Sequence, residues 1–214
     1  MPNMSTTEGR IVPQSDLESL IATRRTSKPA TFEGPEPDRS LIRNCIEVAR
    51  KAPNHHRTEP AYFYLLNRRQ IQELAELNAA RVADSPSPKA NLEKAERKLK
   101  EWGQTPGLLI VTCHTDPGST LARSKPALFE EDYAAVCCMT QNLLLLLHNL
   151  GIATKWSTAP IWKHSDFARI IGLKHGEPSE RVVALLFYGW SQDFPKTRQF
   201  RPLDEILIDG DDSR

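Results

Sequence analysis

The chain has 214 residues, 39% hydrophobic and 26% charged, with 28 Lys+Arg against 27 Asp+Glu and a formal net charge of +1. That length suits one domain burying roughly 70% of its unfolded surface. The balanced charge argues against a nucleic-acid or anionic-membrane binder, whose affinity rests on concentrated basic charge, so any anion site is local. Four cysteines, Cys45, Cys113, Cys137 and Cys138, lie in apolar runs without CxxC or Cys/His spacing, which reads as reduced, buried thiols in a reducing compartment. Residues 1–12 carry no basic stretch followed by an apolar one, so no secretory signal is read. The longest apolar run, residues 136–153, is broken by Thr140, Gln141, Asn142, His148 and Asn149, the pattern of a buried core helix rather than a membrane span. The expected location is the cytoplasm.

Residues 15–24 form a first helix, with Ser15 and Glu18 as a capping box and Leu17, Leu20 and Ile21 as its apolar stripe. Pro29 ends it and opens a loop to Pro37. Asp38 caps a second helix carrying Leu41, Ile42, Cys45, Ile46 and Ala49, which stops before Pro53. Residues 61–66 (AYFYLL) are short, aromatic and aliphatic, and so read as a strand. Asn67 caps a helix over 69–82, and Ser85-Pro86-Ser87-Pro88 breaks the chain. Residues 89–102 make a charged helix, with Glu93–Arg97 and Glu96–Lys100 in favourable order; it reads as solvated and without chemistry. Then follow a buried strand over 107–113, a long central helix over 129–150 ended by Gly151, and a strand over 152–156. A helix over 161–171 ends at Gly172, and the strongest strand covers 181–188. The tail at 200–208 has an apolar pattern suited to an edge strand. This order predicts one domain of α+β class, an α/β sandwich with helices covering a small sheet, with 1–12 and 209–214 flexible.

Several fingerprints are missing. No GxGxxG opens a helix after a strand, and no GxxxxGK[ST], GxSxG or HExxH occurs. What stands out instead is Arg24-Arg25-Thr26-Ser27-Lys28. Cations at a helix C-terminus commonly oppose its dipole, which is one reading. The other is that Arg24, Thr26 and Lys28 alternate along an extended segment and face one way, offering a guanidinium fork, a hydroxyl and a point charge to a phosphate.

Three further stretches carry polar groups at element ends: Ala52-Pro53-Asn54-His55-His56-Arg57-Thr58-Glu59-Pro60, then Trp156-Ser157-Thr158, and finally Lys196-Thr197-Arg198-Gln199-Phe200-Arg201-Pro202-Leu203-Asp204-Glu205-Ile206 after Tyr188-Gly189-Trp190. His55 and His56 invite a metal. Adjacent histidines point in different directions, however, and no carboxylate or cysteine is spaced to help, so no metal site is expected. The basic tail also reads as simply solvated.

Taken in order, the four stretches resemble the nitroreductase family of flavin enzymes. The family opens with Arg-x-Ser/Thr-x-Arg/Lys after its first helix. A second helix ends in Ala-x-x-Ala-Pro before polar residues and a Pro at the first strand, a helix–Gly–strand unit ends in Trp and polar residues, and the chain closes on a basic segment before a Pro-Leu-x-Glu pattern. Here Asn54 stands for Ser/Asp, Thr58-Glu59 for Asn/Met-Gln, Ala61 for Trp, and Ser157 for the Arg of a Trp-Arg-Ser motif. The resemblance spans residues 17–208. It implies a central, mostly antiparallel sheet flanked by helices and an intertwined homodimer with FMN at the interface. It also implies ping-pong transfer of electrons from NAD(P)H to a small electron-poor acceptor. The residues it implies at the cofactor are Arg24, Arg25, Thr26, Lys28, His55, Glu59, Trp156, Ser157, Thr158, Arg198 and Arg201, with the flavin rather than a side chain carrying the chemistry. Nitroaromatic, quinone, enone and halogenated acceptors all suit that chemistry, and no ribose-reading motif selects NADH or NADPH. Two rival readings use the same scaffold: a flavin-binding protein without NAD(P)H turnover (a carrier, sensor or flavin-consuming enzyme), and a cofactor-free interaction protein.

Overall fold

The computed structural model describes residues 14–84, 88–176, 179–193 and 199–210. Its elements are α1 (Gln14–Thr23), α2 (Arg39–Ala49), β1 (Ala61–Leu65), α3 (Arg68–Ala83), α4 (Pro88–Gly103), β2 (Gly107–His114), α5 (Thr120–Ser124), α6 (Leu128–Asn149), β3 (Ala153–Ser157), α7 (Ser165–Ile171) and β4 (Glu180–Gly189). The strands form one sheet in the order β1-β2-β4-β3, with every neighbouring pair antiparallel.

Local chemistry sets most boundaries. Asp38 caps α2 by accepting from the Ser40 amide at 2.8 Å. At α3, Asn67 and Gln70 exchange side chain-to-backbone hydrogen bonds in a full capping box. Gly172 ends α7 in the left-handed conformation at φ 74°, where a Cβ is disfavoured.

The two central strands, β2 and β4, bury both faces. Leu109 and Val111 of β2, with Leu186 and Tyr188 of β4, pack on α2 and α6 through Ile42, Cys45, Val136, Leu143 and Leu147. Leu108, Ile110, Leu185 and Phe187 point the other way, against Ile71 and Leu74 of α3, Trp102 of α4, and Phe167 and Ile171 of α7. This is the period-two alternation of a strand serving two layers, and the result is a helix–sheet–helix sandwich. Gly107 is required where it sits: a Cβ there would lie 2.1 Å from Cζ of the buried Tyr188 ring. That ring covers Gly107 and donates its hydroxyl to Glu36 at 3.1 Å.

Six expectations need correction. The helix expected over 161–171 is broken: Pro160–Lys163 is a 3-10 turn, and His164 is extended and caps α7 through its Nδ1. The short helix α5 was not foreseen. The helix over 89–102 is not merely solvated, since Trp102 is buried against Phe187. The tail forms no strand; it makes a 3-10 turn at Leu203–Glu205 and leaves Phe200 and Ile208 exposed. The cysteines are free, as read, but Cys137 is half-buried and Cys138 exposed. Ser15 lies inside α1 rather than ahead of it as a cap, and the flexibility expected of 1–12 and 211–214 falls outside the described residues. No helix among the described residues is long and apolar enough to cross a membrane.

Candidate functional site

The segment after α1 runs along the outer edge of β3. Thr26 forms a parallel bridge with Thr154, and the Ser27 amide donates to the Thr154 carbonyl at 3.0 Å. That contact turns Ser27 inward, where it is buried, and leaves Thr26 and Lys28 exposed on the same side, as the alternation predicts. Arg24 is half-buried, and Arg25 donates to its carbonyl at 2.8 Å. Burial and the adjoining Arg25 guanidinium both push the Arg24 pKa below its ordinary value. His148, at the end of α6, lies within 3.0 Å of the Thr23 hydroxyl, and burial with the charges of Arg24 and Arg25 pushes its pKa down as well. The charged form of the imidazole is thus disfavoured beside two neighbouring guanidinium groups. A phosphate dianion is the chemistry that relieves such crowding, so the residues fit that part of a mononucleotide.

Trp156 lies two residues beyond Thr154 and so shares its face. It packs on the α2/α6 side of the core, and its indole N–H donates to the Val183 carbonyl at 3.1 Å. Only the ring is left for a ligand. Ser157 is half-buried, its hydroxyl accepting from the Ala159 amide at 3.4 Å, and Thr158 is exposed. Lys155 points to the opposite face and pairs with Glu101 of α4 at 3.6 Å, so it does not replace the arginine missing at Ser157.

The second cluster is the loop between α2 and β1. His56, Arg57 and Glu59 have φ of 60°, 53° and 49°, a left-handed conformation that costs a residue with a Cβ roughly 1–2 kcal/mol each. Side chains beneath the loop hold it there. Asn54 accepts from the Glu59 amide at 2.8 Å and donates to the Thr58 hydroxyl at 3.0 Å; Thr58 donates to Asp132 of α6 at 2.5 Å, and Thr115 donates to the other Asp132 oxygen at 2.7 Å. Glu59 is exposed and paired with Arg50 at 3.1 Å, and that hydrogen bond is the main reason the Arg50 pKa is raised. The loop borders a cleft of about 910 Å³ between α2 and β1, lined by Arg39, Arg43, Arg50, Arg57, Phe63 and Leu65 among others.

The histidines do not diverge. The left-handed turn at His56 stacks its ring on His55, centroids 3.9 Å apart; His55 meets Glu131 at 3.1 Å, and His56 meets Lys125 at 3.0 Å. Ligand atoms of His55, His56 and Glu131 lie within 4.8 Å of one another. The premise that no carboxylate comes near is therefore corrected: Glu131 is distant in sequence and brought close by α6.

The two clusters do not meet in one chain. Thr154, beside Thr26, is opposite Tyr188 on β4; Ala61, just after the loop, is opposite Cys113, which faces Arg181. Seven positions along β4 at ~3.3 Å and three strand spacings of ~4.8 Å separate them, on the order of 25 Å corner to corner. Thus Arg24, Arg25, Thr26, Lys28, Trp156, Ser157 and Thr158 form one group, and His55 and Glu59 another. Arg201 is exposed on the tail, and Arg198 lies outside the described residues. Sequence reasoning missed Asp132, Thr115 and Arg50. Asp132 did carry a signal: it stands one helical turn after Leu128 and one before Val136, a lone carboxylate on an apolar stripe.

Comparison with known proteins places the molecule. The model described as Nitroreductase family matches residues 21–190. A Bacillus subtilis (strain 168) protein named "Putative NAD(P)H nitroreductase YfhC" is 28% identical over 193 residues, covering 88% of this chain and 91% of that protein. Among solved structures, a nitroreductase-like family protein from Bacillus cereus superposes with a TM-score of 0.73 at 23% identity, over 92% of this chain and 97% of the other. A nitroreductase with bound FMN from Desulfitobacterium hafniense DCB-2 gives 0.64 at 17% identity, over 89% and 96%.

Proposed function

The chain belongs to the nitroreductase family, a family of oxidoreductases, and from that premise we propose that it is an FMN-dependent enzyme of the cytoplasm. It moves electrons from NAD(P)H to a small electron-poor acceptor, such as a nitroaromatic or a quinone, in two successive half-reactions, and it works as a homodimer. The observation that carries the reading is the cationic ledge after α1: half-buried Arg24 and Arg25 beside exposed Thr26 and Lys28, held along the edge of β3. When bound, the flavin supplies the electron chemistry, accepting hydride and passing it on.

The chain's own residues bind and orient. Arg24, Arg25, Thr26 and Lys28 hold the phosphate, and the Trp156 ring with Ser157 and Thr158 borders the cofactor. His55 and Glu59 meet the ring from the second copy, because one copy keeps these clusters at opposite corners of its sheet. Arg201 brings a further cation on the tail, and Arg198, three residues before it in the sequence, is the second candidate. The two-copy arrangement draws support from exposed apolar residues: Leu17 and Ile21 on α1, and Leu203, Ile206 and Ile208 on the tail. In that tail the apolar residues are flanked by Asp204, Glu205 and Asp209, a match in charge and polarity for the cleft beside β1 with its arginines, Phe63 and Leu65. On this reading the tail of one copy lies in the cleft beside β1 of the other.

The test is a visible absorption spectrum of the purified protein, followed by anaerobic addition of NADH or NADPH. A flavin band that bleaches, then returns with a nitroaromatic or quinone, supports the reading. A band that refuses to bleach leaves a flavin-binding protein without nicotinamide turnover. No band after incubation with FMN overturns the cofactor assignment.

A further inference from the structure

Asp132 is almost fully buried, 1% exposed, on the apolar face of α6. Buried carboxylates usually sit against a cation or a metal. This one accepts from two hydroxyls instead, Thr115 just beyond β2 and Thr58 in the loop between α2 and β1. Its two oxygens therefore tie the end of a strand to the loop between α2 and β1. Thr58 does more than donate: it accepts from the Asn54 amide group, and Asn54 in turn accepts the Glu59 amide. The relay runs from the sheet through Asp132, Thr58 and Asn54 to the backbone of Glu59.

What the relay holds is a conformation that the local sequence does not favour. His56, Arg57 and Glu59 all have φ near +50° to +60° without a glycine among them, and left-handed backbone of that kind persists only where the surroundings over-determine it. The other side-chain ties of the loop, His55 to Glu131, His56 to Lys125 and Glu59 to Arg50, are between exposed side chains and are correspondingly weak. Among these ties of the described residues, the relay through Asp132 is the one that ends on a buried side chain.

We propose that Asp132 is a positioning residue for the cofactor site: through Thr58 and Asn54 it holds residues 54–59 in their left-handed form and so sets how His55 and Glu59 are presented to the flavin of a second copy. The loop half of this inference stands on the geometry above, and the flavin half rests on the reading under Proposed function. At 1% exposure Asp132 touches neither cofactor nor substrate, so its effect passes entirely through the loop.

The experiment compares Thr58→Val, Thr58→Ser and Asp132→Ala with the wild type in the full-length protein. Amide hydrogen exchange of residues 54–60 is followed without flavin, and FMN affinity is read by fluorescence quenching. Thr58→Val keeps the shape of the side chain and removes both of its hydrogen bonds, which avoids the folding risk of Asp132→Ala. The expected result is faster exchange at 54–60 with β2 and β4 unchanged, and FMN affinity about tenfold weaker, the equivalent of one hydrogen bond. Thr58→Ser should restore both. Unchanged exchange in Thr58→Val overturns the clamp. Faster exchange with FMN affinity within twofold of wild type overturns its role toward the cofactor. Wild-type protein that takes up no FMN overturns the flavin reading, while the exchange measurement still decides whether Asp132 holds the loop.

Discussion

If the two halves of the cofactor site lie on the order of 25 Å apart in one chain, a mixed dimer should show it. Arg24→Ala removes a charge-assisted phosphate contact, expected to cost about 1.5–3 kcal/mol of FMN binding, or roughly 50-fold at the middle of that range. Asn54→Ala removes the acceptor of the Glu59 amide and the donor to Thr58, and a similar loss is expected when a strained loop is released. At free FMN about tenfold above the wild-type Kd, an intact site is about 90% filled and a 50-fold weaker one about 17%. Now combine one copy of each variant, co-expressed with different tags and purified through both. Sites built from two copies leave one site intact and put both lesions in the other, so the average occupancy is about 45%, given additive effects at distant positions. Sites built within one chain give two singly damaged sites and about 17%. Flavin content per dimer, measured by absorbance after release, separates the two. A mixed dimer no better filled than its parents would refute the two-copy assembly.

The remaining predictions concern single residues. Glu59→Gln should raise the midpoint potential of the bound flavin, since a negative charge near the ring is lost. The shift should stay below the ~30 mV of a tenfold change in a two-electron equilibrium, because Arg50 already screens that carboxylate; a spectroelectrochemical titration checks it, and a fall in potential would exclude the contact. Gly107→Ala should destabilise the fold by about 2 kcal/mol or more through overpacking, as the new Cβ meets the Tyr188 ring at 2.1 Å; a urea midpoint equal to wild type would contradict it. Burial, with the Asp132 charge adding to it, pushes the Cys113 thiol up to about 12. The folded state thus keeps its proton where the unfolded chain has lost it, and this contribution is whole below about pH 9 and lost as pH rises toward 12, by at most ~1.4 kcal/mol per pH unit. Cys113→Ala should lose less stability than wild type between pH 9 and 11 in parallel denaturant titrations. Equal slopes would show the thiol does not titrate as its surroundings demand.

Where the sequence was legible, the reason is local. Asp38, Asn67 and Gly172 mark helix ends because their side chains, or the lack of one, act on backbone groups within a few residues. The period-two and period-3.6 patterns exposed the strands and most helices for the same reason. Where it was not legible, the deciding partner is far away in the chain. His164 interrupts a helical pattern because an extended residue there caps α7. Nothing near the tail says that its apolar residues stay outside the sheet.

The candidate site divides along the same line. The amino-acid sequence by itself determined the class of the fold, the ledge of cations after α1 and the polar loop before β1, since these rest on residue type and short spacings. Only the tertiary structure decided that Trp156 spends its N–H on Val183, that Lys155 faces away toward Glu101, and that His55 and His56 stack beside Glu131. It alone put Asp132 under the loop and set the two clusters at opposite corners of the sheet. Strand order and helix placement are set by burying both faces of the sheet at once, a condition on the whole chain that no short stretch of it contains.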